Sequence, residues 1–163
     1  MESLSVFLSD SDATDTLGRA LALSRPASAV VHLQGDLGAG KSTLARALLR
    51  ALGVQGAIRS PTYTLVERYP LDDGEAWHLD LYRIGDAGEL DFLGLDEGSA
   101  TLWLVEWPER GGAGLPACDL RVRLAVDGIG RSARLEALSG PGRDWLARLA
   151  EDRQLPRSPV QAV

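Results

Sequence analysis

With 163 residues, 45% of them hydrophobic and 25% charged, the chain is long enough to bury a real core and to fold as one soluble domain. No apolar run approaches the ~20 residues that cross a bilayer, and a start carrying Glu2 and Asp10 without a basic segment is not a secretory signal, so a cytoplasmic protein off the membrane is expected. A net charge of -6 argues against gripping DNA or RNA alone, while one cysteine (Cys118) and two histidines (His32, His78) exclude an internal disulfide and a Cys/His zinc set.

In chain order, residues 5 to 9 read as a strand and residues 12 to 23 as a helix closed by Ser24-Arg25-Pro26. Residues 29 to 34 are a short apolar strand, and residues 42 to 52 a helix with Leu44, Leu48 and Leu52 on one face and Gly53 at its end. Residues 75 to 83 alternate, placing Trp77, Leu79 and Leu81 on one face and His78, Asp80 and Tyr82 on the other. Asp86 and Glu89 have capping-box spacing for a short helix ending near Gly94. Residues 101 to 105 form a continuous apolar strand running into Glu106-Trp107-Pro108. Residues 120 to 126 and 133 to 138 make a hairpin around Asp127-Gly128, and a last helix surrounds Trp145, Leu146 and Leu149. The pattern predicts an α/β, three-layer fold with a mixed, mostly parallel sheet, helices on both faces and a C-terminal antiparallel hairpin. Residues 1–150 form its single domain and 151–163 a loose tail.

Between the strand at 29 to 34 and the helix at 42 to 52 lies Gly35-Asp36-Leu37-Gly38-Ala39-Gly40-Lys41-Ser42, a complete G-x-x-x-x-G-K-[ST] loop. Lys41 is the one lysine of the chain; all other positive side chains are arginine. A compact ammonium on a flexible stem fits inside a tight phosphate loop where a planar guanidinium fits poorly. The loop's backbone N–H groups and the helix N-terminus supply partial positive charge for a polyphosphate, and the Ser42 hydroxyl suits Mg2+. A nucleotide and magnesium are the expected cofactors.

Ligands in open α/β sheets lie beyond the carboxyl ends of the strands, which singles out Asp80 and Glu106 as acids able to hold the metal or orient water. Between loop and acids, residues 59 to 67 offer hydroxyls around Pro61 in the place of a nucleotide-sensing switch, with Thr62 as the residue chosen to meet metal or γ-phosphate. Trp77 and Trp103 read as core, and both histidines as strand residues without chemical duty.

Four blocks carry a family resemblance: Gly-Asp-Leu-Gly-Ala-Gly-Lys-Ser-Thr (35 to 43), Ser-Pro-Thr-Tyr-Thr-Leu-Val-Glu (60 to 67), His-Leu-Asp-Leu-Tyr-Arg (78 to 83) and Val-Glu-Trp-Pro-Glu (105 to 109). In kind, order and spacing they resemble the TsaE (YjeE) family of bacterial ATPases required for threonylcarbamoyladenosine synthesis in tRNA. The resemblance implies a P-loop ATPase that hydrolyses ATP with Mg2+ on the partner proteins TsaD and TsaB. Those partners modify adenosine 37 of tRNAs reading codons that begin with A, so this chain meets tRNA only through them, and turnover alone is slow. It further implies that Gly35, Asp36, Leu37, Gly38, Ala39 and Gly40 wrap the phosphates with Lys41 and Ser42. Thr43 then serves the α-phosphate side, Thr62 the switch, Asp80 and Glu106 the metal and water; Trp107 stands near the nucleotide and Ser11 near adenine. Ser42 stands where the family more usually has threonine, and the segment 96 to 99 is looser than the family pattern.

The alternative is a small-molecule kinase, which shares the loop but needs an acceptor pocket. A guanine-specific hydrolase would need an Asn-Lys-x-Asp segment, for which no second lysine exists. A non-hydrolysing nucleotide adaptor has no use for Lys41, Ser42, Asp80 and Glu106 together.

Overall fold

Leu4, Val6 and Leu8 alternate with Ser3, Ser5 and Phe7 in β1 (Ser3–Leu8), and buried apolar rows recur in the strands that follow it, the edge strand at 66–71 apart. In the computed structural model, which describes residues 2–95 and 100–155, these rows build one seven-stranded sheet. The other strands are β2 (Ala29–Gln34), β3 (Val66–Leu71), β4 (Gly74–Asp80), β5 (Ala100–Glu106), β6 (Leu120–Asp127) and β7 (Gly130–Ala137). Their spatial order is β1-β7-β6-β2-β5-β4-β3. The neighbours β6, β2, β5 and β4 run parallel; β3 pairs antiparallel with β4 at one edge, and at the other β7 pairs antiparallel with both β6 and the edge strand β1. The expected mixed sheet and its C-terminal hairpin are both present.

Helices α1 (Ser11–Ser24), α2 (Lys41–Ala51) and α3 (Gly140–Ala150) cover one face. Leu17, Leu21, Leu44, Leu48, Trp145 and Leu149 pack there against Val31, Leu104, Val122 and Leu135 of the strands. Each fully buried leucine of this kind contributes about 1.5–3 kcal/mol. On the opposite face, Trp77, Leu79, Leu81, Ile84, Leu90 and Val105 form a second cluster over β4 and β5. It is closed by 3-10 turns at Ala87–Leu93 and Gly112–Gly114 rather than by α-helices. Both faces thus carry helical cover, as expected, but of different kinds.

Side chains cap the helices. Asp10 accepts the Ala13 N–H at 2.9 Å and starts α1. Ser139 accepts the Gly142 N–H at 3.0 Å to start α3, while its hydroxyl donates to Asp119 Oδ1 at 2.7 Å. The other oxygen of Asp119 accepts the Val30 N–H at 2.8 Å, joining the beginning of β2 to the beginning of α3. Asp86 caps its short helix through the Gly88 N–H and Gly94 closes it in the left-handed conformation, but the helix is 3-10.

Two readings change. Residues 66–71, left without an element by the sequence pattern, are the edge strand β3, in which Pro70 is tolerated because only β4 pairs with it. The strand bearing the acid ends at Asp80, short of Tyr82 and Arg83. The looser segment at 96–99 and the greater part of the tail, 156–163, lie outside the described residues.

Candidate nucleotide-binding site

The central strand β2 ends in the Gly35 to Gly40 turn, which delivers the chain into α2. Gly40 is the residue before the helix and has φ 106° and ψ 15°, a left-handed conformation that an L side chain rarely takes. It offers no side chain to cap α2, so the first N–H groups of the helix are left for an anion. Nothing lies within 4 Å of where a Cβ would project from Gly38 or Gly40. Ala39, by contrast, is turned inward and buried beneath the loop.

Lys41 is 5% exposed. Its ammonium donates to the carbonyl oxygen of Gly35 and, at 3.0 Å, to that of Asp36, and stands 4.5 Å from the centre of the Trp107 ring. Burial lowers the Lys41 pKa, opposed by the charges of Glu106, Asp80, Asp36 and Glu109. The neighbouring Ser42 hydroxyl lies 3.0 and 2.9 Å from the two carboxylate oxygens of Glu106.

The acids come from adjacent parallel strands. Asp80 of β4 and Glu106 of β5 are directly paired in register, and both are buried. Asp80 Oδ1 accepts the Tyr82 N–H at 3.0 Å, and Oδ2 accepts from the Thr62 hydroxyl at 3.4 Å. Thr62 sits in a turn after Pro61 and shares a 2.8 Å hydrogen bond with Ser60. Trp107 has φ 57° and ψ 50°, an uncommon backbone for a bulky residue, and it directs the chain from β5 into the turn Pro108–Arg110. Its ring also contacts Tyr82, with centroids 5.0 Å apart.

Leu37, Lys41, Ser42, Thr43, Thr62, Asp80, Glu106 and Trp107 surround one cavity of about 220 Å³. A second cavity of about 250 Å³ opens on the other side of the loop, where Ser11, Gly38, Ala39, Gly40 and Thr43 meet Leu8, Thr14, Leu124, Ile129 and Arg131. Gly38, Gly40 and Thr43 line both, so the two are one cleft passing over the loop. Gly35 and Asp36 contribute carbonyls to Lys41 from beneath. All the residues singled out in the sequence therefore meet in or under this cleft.

Sequence reasoning missed the hairpin's share. Arg131 donates to the Gly38 carbonyl at 3.2 Å, and Ile129, at the hairpin tip, is 98% exposed beside the cleft. An isoleucine between Gly128 and Gly130, where a turn calls for polar residues, was the available signal. His78, read as a satisfied strand residue, has a partner the sequence did not name: its Nε2 lies 2.6 Å from Glu106 Oε2.

The family model "Threonylcarbamoyl adenosine biosynthesis protein TsaE" matches residues 8–134. The chain belongs to the TsaE family. Among relatives called tRNA threonylcarbamoyladenosine biosynthesis protein TsaE, that of Haemophilus influenzae is 37% identical over 154 residues, covering 90% of this chain and 98% of its own. The Aquifex aeolicus protein is 39% identical, covering 74% of this chain and 86% of its own. The Synechocystis TsaE is 41% identical over 66% of this chain and 72% of its own. The crystal structure of Bacillus subtilus YdiB shares the fold, with a TM-score of 0.72 at 24% identity, 91% of this chain and 94% of that one being covered. The TsaE match takes in the loop, residues 59–67, both acids and the hairpin tip.

Proposed function

We propose that this chain binds ATP with Mg2+ in the cleft over Gly35–Ser42, hydrolyses it, and so supports formation of N6-threonylcarbamoyladenosine at position 37 of tRNAs reading codons that begin with A. The observation that carries the reading is the meeting of Ser42, on the helix leaving the loop, with Glu106, at the end of the adjacent strand, at 2.9–3.0 Å. Membership of the TsaE family, and the tRNA modification after which the relatives are called, support the pathway.

The donor set fits magnesium. Among the described residues no group of three or more His, Cys, Asp or Glu forms a closed protein cage. Two buried carboxylates and two hydroxyls facing a phosphate loop suit an ion that takes its other ligands from phosphate and water. Ser42, Thr62, Asp80 and Glu106 would hold it, directly or through its waters. Bound there, Mg2+ would offset the negative charge of the phosphates.

The chain's own groups do the rest. The uncapped N–H groups of α2 and the Lys41 ammonium face the β- and γ-phosphates, where negative charge accumulates as the bond from γ-phosphorus to the β-phosphate oxygen breaks. Asp80 and Glu106 accept hydrogen bonds from a water placed to attack the γ-phosphorus. Thr62, tied to Asp80 on a turn, links that water's surroundings to the switch segment. The second cavity, bordered by Leu8, Leu124, Ile129, Ser11 and Thr14, takes the adenosine end of the nucleotide. TsaD and TsaB are the partner proteins in this reading, with tRNA met only through them, and turnover by the isolated chain is slow. A cytoplasmic location accords with it; no helix among the described residues is long and apolar enough to cross a membrane.

Calorimetry of purified protein with ATP, with and without Mg2+, together with phosphate release in the presence of TsaD and TsaB, tests the proposal. Magnesium-dependent binding and release of phosphate without any added acceptor are expected. Absence of magnesium-dependent heat removes the reading, and phosphate transfer only to an added small molecule makes the chain a kinase.

A further inference from the structure

From the geometry we infer that His78 is a positioning residue for Glu106: its imidazole fixes the carboxylate in the orientation that serves the metal and the attacking water. The inference rests on the nucleotide reading above and extends it to a residue that touches neither nucleotide nor metal.

Glutamate is a poor fixed ligand unless something holds it, because its carboxylate ends a chain of three free torsions. At Glu106 the holding groups are few and specific. Ser42 reaches both oxygens from the loop side, and His78 reaches only Oε2, from the neighbouring strand. His78 and Asp80 lie two residues apart on β4 and share a face of the sheet, while Asp80 is the register partner of Glu106. The imidazole therefore stands diagonally behind Glu106, one step down the strand, a spacing that long side chains span.

Both partners are almost out of water, with side chains 2% and 3% exposed, and the 2.6 Å separation is that of a short, charge-assisted hydrogen bond. His78 Nδ1 is buried and has no hydrogen-bond partner. The pattern assigns the proton to Nε2, where it is donated to Glu106, and leaves Nδ1 as a bare lone pair rather than a stranded N–H. A histidine kept only for packing has no need of such an arrangement, since an apolar side chain of the same volume would leave no unpaired nitrogen behind.

The two holding groups are not equivalent in use. A Ser42 hydroxyl that turns its lone pairs toward a cation gives up its place on Glu106, and His78 then holds the carboxylate alone. Its bond keeps Oε2 engaged from the strand side and leaves Oε1 for the cleft. Partners of this kind behind a metal-binding carboxylate commonly matter about 10- to 100-fold in affinity or rate.

The test combines a spectroscopic and a kinetic arm. In wild-type protein without metal or nucleotide, 15N-resolved imidazole spectra should show His78 protonated at Nε2, with a resonance that moves on Glu106→Gln; protonation at Nδ1 with a bare Nε2 overturns the inference. In the kinetic arm, His78→Leu should lower kcat about tenfold or more and raise the Mg2+ concentration for half-maximal turnover about fivefold or more, with the ATP KM within about twofold of wild type. His78→Gln, which can present an N–H at similar reach, should recover most of the loss. A folded His78→Leu protein with wild-type kcat and Mg2+ dependence overturns the inference alone, leaving nucleotide hydrolysis standing. Wild-type protein that turns over no ATP with Mg2+ and partners overturns the nucleotide reading and this inference together. Should His78→Leu fail to fold, the wild-type spectra and the His78→Gln kinetics still decide, since a folded His78→Gln protein with more than tenfold loss of kcat also counts against it.

Discussion

Asp80 and Glu106 stand opposite one another in register at the carboxyl ends of two parallel strands, so two buried carboxylates share one wall of the cleft. Neutralising one of them leaves the wall intact in shape. Glu106→Gln is expected to keep a Tm within a few degrees of wild type, because the amide can still accept from Ser42, while Mg2+-dependent phosphate release falls about 100-fold or more. Thermal unfolding beside a phosphate-release assay checks both halves; an unchanged rate at limiting Mg2+ would demote Glu106 to a structural acid.

Lys41 bonds loop carbonyls and stands over Trp107, a half-buried ring that packs against the second cluster without needing the ammonium. Lys41→Ala should therefore fold normally yet bind ATP about 10- to 100-fold more weakly, the worth of a charged hydrogen-bonding group, with hydrolysis abolished. Calorimetry and circular dichroism on the same sample measure the two effects.

Ile129 projects from the hairpin tip beside the second cavity and touches no core cluster. Ile129→Ser should weaken ATP binding by a few-fold to about tenfold through lost apolar contact, leaving Tm and the Mg2+ requirement unchanged. Equal affinities of variant and wild type would move the adenosine end elsewhere.

Gly18 lets α1 and α2 touch. A Cβ there would lie 2.6 Å from Ala47 Cβ and 2.9 Å from the α2 backbone. Gly18→Ala gains helix propensity but must push two helices apart, a net cost of roughly 1–3 kcal/mol. A Tm several degrees lower is the expected readout, and an unchanged or higher Tm would show that the helices separate freely.

Burial pushes the Cys118 thiol up to about 11. The folded state thus holds its proton longer than the unfolded chain, whose thiol ionises near ~8.5. The thiol's contribution to stability is complete below that value and is lost as pH rises toward 11. Alkylation by iodoacetamide at pH 8 should be far slower in native than in denatured protein; equal rates would place the thiolate in water.

The loop's place between strand and helix was legible because its signal is local: Gly40, Lys41 and Ser42 are chain neighbours, and the strand and helix around them follow from simple periods. Asp80 and Glu106 were legible as strand ends, but their pairing depends on the sheet order, which no period encodes. β3 was missed because Glu67, Arg68 and Pro70 spoil its alternation, and it exists by pairing with β4. The partner of His78 was hidden for a similar reason, since it lies 28 residues away on another strand. The second cavity drew on Leu8, Ile129 and Arg131, residues from both ends of the chain that only folding brings to Gly38.

Trp107 shares its neighbourhood with the Lys41 ammonium at the cleft, whereas Trp145 is sealed in the interior. An indole responds to the field across its ring, and the field here is set by where one ammonium points. The pair makes an optical gauge at the mouth of the cleft: an anion that draws Lys41 toward itself is expected to change native tryptophan emission, with no dye attached.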